Sequence, residues 1–97
     1  MNQTASWELR LPYFDDEPWD AKGFFRAQLA YRDRIYALMF YDPVRLAQDV
    51  KTELEIASFF FEENLIVVRE IKREVLESVA RTLVETGQVD RLWPSRE

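Results

Sequence analysis

Asp15, Asp16, Glu17 and Asp20 fall within one six-residue stretch, interleaved with Phe14, Pro18 and Trp19, and form the densest group of reactive side chains in the sequence. Clustered carboxylates can ligate a hard cation, which wants several oxygen donors. Their spacing matches no calcium loop, because the glycine that turns an EF-hand loop is missing from the required place. A solvated loop or a protein contact remains. Aromatic side chains anchor protein interfaces, and a ring of negative charge steers a basic partner toward them. Phe14, Asp15, Asp16, Glu17, Trp19 and Asp20 are therefore the candidate partner-binding residues, with no metal, cofactor or catalytic role assigned to them.

Other clusters carry less chemistry. Glu62 and Glu63 are adjacent carboxylates, but acid–base work needs groups that converge in a cleft, and neighbours in a turn point apart. Arg32 and Arg34 flank an expected hairpin tip, and Arg69, Lys72 and Arg73 cluster where a strand should meet a helix. Either group could touch a phosphate, yet the acidic balance favours a solvated rim and argues against nucleic acid. In Phe59-Phe60-Phe61, Phe60 must point opposite to its neighbours if the run is extended. Burial in the core is the expected fate of this run, with an exposed, self-pairing face as the alternative. The chain has no histidine and no cysteine, which excludes triads built on either residue, disulfides and thiolate or imidazole metal sites. Two glycines could hardly build a phosphate-cradling loop.

The chain has 97 residues, 47% of them hydrophobic, and a net charge of −5 from 13 basic and 18 acidic side chains. One domain with one core is expected at this length, over residues 1–87, followed by a tail over 88–97. The longest apolar run, Ile35 to Tyr41, is far below the ~18 residues a membrane span needs. A polar amino terminus without a secretory pattern points to a cytoplasmic protein. The four loop acids hold −4 of the charge, so the remainder sums to −5 + 4 = −1.

The surrounding pattern indicates what must position the loop. Residues 6–13 alternate, with Trp7, Leu9, Leu11 and Tyr13 on one side, and read as a half-buried strand whose Pro12 suits an edge. Residues 24–41 lack glycine and proline. Helical spacing links Phe24, Ala27, Tyr31, Ile35 and Leu38, but the aromatic and β-branched content and the break at Arg32-Asp33-Arg34 favour a hairpin of 25–31 against 35–41. Asp42-Pro43 then starts a helix, aspartate accepting from the free amides and proline giving up a donor that has no partner anyway. Leu46, Ala47, Val50, Leu54 and Ala57 form its apolar stripe. Leu65–Val68 reads as a short strand, and Val75, Leu76, Val79, Leu83 and Val84 mark a last helix closed by Gly87. The expected fold is an α+β two-layer sandwich of order β-β-β-α-β-α, a mainly antiparallel sheet with both helices on one face.

The run Phe40-Tyr41-Asp42-Pro43 through Leu46, then Phe61, Leu65-Ile66-Val67 and a closing helix, resembles the bacterial Immunity protein 8 family over residues 35–84. Arg32-Asp33-Arg34 stands in place of that family's glycine-rich hairpin loop, and the C-terminal portion is shorter. The resemblance implies a toxin-neutralising role and identifies no functional residue. Together these features lead to the expectation of a small, non-catalytic, acidic interaction module that binds a basic protein surface, an immunity-type inhibitor being its most specific form. A homodimer assembling through its sheet or its Phe60 face is the alternative.

Overall fold

Eighteen residues without glycine or proline, Phe24 to Tyr41, form an antiparallel hairpin in the computed structural model, which describes residues 6–95. Strand β2 (Phe24–Tyr31) and strand β3 (Arg34–Tyr41) pair from Phe24 opposite Tyr41 to Tyr31 opposite Arg34. The turn places Arg32 at φ 58°, a conformation that glycine takes more readily, and its guanidinium lies 5.0 Å from the Tyr31 ring centre. β1 (Trp7–Arg10) adds to the outer side of β2, antiparallel, as the edge that Pro12 indicated. β4 (Leu65–Val67) adds to the other side, beside β3, in the order β1-β2-β3-β4.

β4 runs parallel to β3, so the sheet is mixed. The reason is the connection: a helix between two neighbouring strands returns the chain to the end where it started, which makes the pair parallel. Three α-helices are present among the described residues: α1 (Trp19–Lys22), α2 (Pro43–Ile56) and α3 (Arg73–Glu85). The order is β1-α1-β2-β3-α2-β4-α3. The expected β-β-β-α-β-α order and two-helix count are thus corrected, since an extra helix lies inside the acidic loop, and the sheet is mixed, with β1–β2 and β2–β3 antiparallel and β3–β4 parallel.

The expectation that both helices share one face also fails. One face of the hairpin holds Phe25, Ala27, Leu29, Leu38 and Phe40, which form the core with Leu76, Ala80 and Val84 of α3. The opposite face holds Phe24 and Tyr41, directly paired. Over them lies α2, with the Arg45 guanidinium 4.4 Å from the Phe24 ring centre and Asp49 accepting a 2.8 Å hydrogen bond from the Tyr41 hydroxyl.

The start of α2 and the end of α3 follow local chemistry. The Asp42 carboxylate accepts from the Arg45 N–H at 2.7 Å, with Pro43 at the first helical position. α3 ends before Gly87, whose φ of 80° carries the chain out of the helix. Residues 88–95 then return to the core. Val89 is buried, Leu92 packs beside it, and the Ser95 N–H donates to the Ile35 carbonyl at 2.7 Å. No helix among the described residues is long and apolar enough to cross a membrane.

Candidate functional site

The acidic loop is built as a clamp. Its chain rises through a 3-10 turn at Phe14–Asp16, preceded by Tyr13 at φ 60°, and then through α1. Trp19 lies edge-on to Phe24 and Phe25, with centroids 5.6 and 5.1 Å away, and its indole N–H donates to the Tyr13 carbonyl at 3.1 Å. Phe14 packs edge-on against Phe25 at 5.0 Å. The two aromatics expected to anchor a partner therefore anchor the loop to its own sheet.

Three of the four acids also have partners within the chain. Asp15 takes both oxygens to one Arg73 nitrogen at 3.1 Å, while that guanidinium sits 5.1 Å from the Phe14 ring centre. Asp20 accepts from the Ile71 N–H at 3.1 Å, and Glu17 pairs with Lys22 at 3.0 Å. Only the Asp16 carboxylate has no hydrogen-bond or ion-pair partner among the described residues. A shallow cleft between Phe14, Trp19, Asp20, Ile71 and Arg73 marks where loop and α3 meet. No group of acids with metal-ligand geometry is found among the described residues.

The larger open surface lies elsewhere. α2 carries the apolar stripe legible in the sequence, yet none of its fourteen residues is buried. Its N-terminal half is held by polar contacts. Arg45 donates to Asp49 at 2.9 Å and to the Lys22 carbonyl at 2.9 Å. Beyond Asp49 no hydrogen bond or ion pair to another element holds it among the described residues. Leu46, Ala47, Val50 and Leu54 instead line an apolar groove of about 730 Å³ with Pro43 and with Val67 of β4. Leu54 remains 50% exposed and Val67 49%.

The aromatic run continues this surface. Phe60 turns inward, edge-on to Tyr41 at 6.5 Å, while Phe59 and Phe61 point outward and stay largely exposed. Phe61 rests against Trp93, 6.2 Å away. Phe60 is thus the inward member of the run. Glu62 pairs with Arg26 at 3.3 Å on the α2 side of the sheet. Arg32 and Arg34 stay at the hairpin tip, and Arg73 is engaged by Asp15.

One ionisable group is displaced from its usual range. The Tyr41 hydroxyl is pushed up to about 12, first by burial and then by its hydrogen bond to Asp49 and the charge of that carboxylate. It is a neutral strut between β3 and α2. Sequence reasoning missed the groove because helical periodicity reports an apolar stripe but not whether anything covers it. Compared with protein-family models, with curated proteins and with solved structures, the chain matches none.

Proposed function

We propose that this chain is a small, non-catalytic protein-interaction module whose working surface is the groove between α2 and β4. The observation that carries the reading is the unburied stripe of α2. A helix in a domain this small gains its stability mainly by covering an apolar face. Leaving Leu46, Val50 and Leu54 against water at the groove forgoes about 25 cal/mol for each Å² that a partner would cover. Exposed apolar surface of this kind marks sites of protein association.

Leu54→Arg tests it. Tagged chain in cells that express it natively should retain its protein contacts, and the variant should lose them with its circular dichroism unchanged. Contacts that survive Leu54→Arg overturn the reading.

A second reading is capture of a basic partner by the acidic loop, in the manner of an immunity-type inhibitor. It is favoured by Asp16, which is exposed and whose carboxylate has no partner among the described residues, and by neighbouring Tyr13, which is 77% exposed. Asp16→Lys with Glu17→Lys spares the Asp15 and Asp20 contacts that hold the fold. Loss of capture by this pair, with Leu54→Arg silent, moves the function to the loop.

A further inference from the structure

We propose that the occupant of the α2–β4 groove is a second copy of the chain, joined through β4 to β4 in one continuous sheet. The proposal rests on the groove being an interaction surface and names what fills it.

The argument starts from the backbone of β4. The Met39 N–H donates to the Asn64 carbonyl at 3.1 Å, and the Val68 N–H donates to the Tyr41 carbonyl at 2.8 Å. Ile66 lies between them, in register with Phe40. In a parallel ladder alternate residues face the neighbouring strand, so Asn64, Ile66 and Val68 face β3. Leu65 and Val67 therefore turn both N–H and C=O outward. An unpaired edge of this kind is a template for another strand.

That edge is complementary to itself. With a two-fold axis through Ile66 and normal to the sheet, Leu65 falls opposite Val67 of the second copy, and Val67 opposite its Leu65. Each is a pair that exchanges both hydrogen bonds in an antiparallel ladder. All four outward groups of each copy are then satisfied.

The same axis sets the two α2 helices side by side on one face of the joined sheet, antiparallel. Pro43, Leu46, Val50, Leu54 and Ala57 follow at spacings of three, four, four and three, a pattern that reads the same in both directions about Val50. With Val50 on that axis, Leu46 meets Leu54 of the other copy and Val50 meets itself.

Sedimentation of the full chain across micromolar concentrations tests the proposal, together with three variants. Wild type should sediment at twice the 11.6 kDa chain mass. Val50→Glu sets two carboxylates against each other at the axis, and Val67→Pro removes an outward N–H that the chain itself does not use. Each should raise the dimer dissociation constant at least ~100-fold, about 2.7 kcal/mol. Because the chain has no cysteine, Val50→Cys should oxidise to a covalent dimer, while Gln48→Cys on the outer side of α2 should not. The Cys pair keeps the test decisive if Val50→Glu or Val67→Pro fails to fold. A wild-type monomer at 200 micromolar, or cross-linking equal at positions 50 and 48, overturns the second copy. The groove then belongs to a different protein, and the Leu54→Arg experiment decides separately whether it is an interaction surface.

Discussion

The Asp20 carboxylate accepts the backbone N–H of Ile71 at 3.1 Å, across 51 residues of chain. Ile71 is buried, so without this acceptor its N–H would lose water and gain nothing. Asp20→Ala should cost about 1–3 kcal/mol, the penalty of a buried donor left unpaired. Asp20→Asn keeps an amide oxygen at the site and should cost less. Urea unfolding midpoints check the order, and equal losses in the two variants would remove the hydrogen bond as the cause.

Tyr41 gives the fold an alkaline limit. Its hydroxyl titrates at about 12 in the folded chain against 10.0 ordinarily, raised by burial and by Asp49. A raised folded-state value means that the protonated form is the one stabilised. The contribution is therefore complete below pH 10, declines as pH rises from 10 to 12, and is gone above that. Within the window the loss runs at up to ~1.4 kcal/mol per pH unit. Tyr41→Phe should lose about 1 kcal/mol at pH 8 for want of the Asp49 bond. Between pH 10 and 11.5 the gap between wild type and variant should narrow in urea titrations. A gap that stays constant would exclude Tyr41 as the titrating group.

The two glycines separate conformational strain from close approach. Both have positive φ, 81° at Gly23 and 80° at Gly87. A β-carbon on Gly87 would meet nothing within 4 Å, whereas one on Gly23 would lie 2.7 Å from the Arg45 β-carbon and 2.9 Å from an Asp42 oxygen. Gly87→Ala should therefore cost only the left-handed penalty of about 1–2 kcal/mol. Gly23→Ala adds an overpacking cost of about 1–3 kcal/mol and should also loosen the N-terminal end of α2. Thermal melts that rank the two equally would show that the Asp42–Arg45 turn yields without resistance.

How much of this was legible depended on how local the cause was. The β2–β3 hairpin followed from the aromatic and β-branched residues on either side of Arg32-Asp33-Arg34, and the start of α2 from Asp42-Pro43. Both signals act within a few residues. The parallel setting of β4 was implied by the helix before it, but the apolar run Leu65–Val68 has no direction of its own. The fates of the two helical stripes were not legible, because Leu46, Val50 and Leu54 repeat as regularly as Leu76, Ala80 and Val84. Only the tertiary structure covers the second and leaves the first open. The contacts that hold the acidic loop within the chain were not legible for a similar reason. Its partners Arg73 and Ile71 lie 58 and 51 residues away from Asp15 and Asp20, beyond the reach of any spacing rule.

Asn64 holds the C-terminal segment in place and offers the sharpest test of whether residues 88–95 belong to the fold. Its backbone takes φ 53°, a conformation asparagine tolerates better than most residues. Its amide donates to the Ala37 and Trp93 carbonyls at 2.9 Å each, and its oxygen accepts the Trp93 N–H at 2.9 Å. Asn64→Asp keeps the shape and the acceptor but removes both donors and sets a charge against two carbonyl oxygens. Residues 93–95 should then detach from β3 while the hairpin stays paired. In hydrogen exchange, the Ser95 amide, which donates to the Ile35 carbonyl at 2.7 Å, should lose its protection, and that of Leu29 should persist. Protection of Ser95 unchanged in Asn64→Asp would show that Val89 and Leu92 alone hold the segment. Loss at Leu29 as well would make Asn64 a support of the whole sheet.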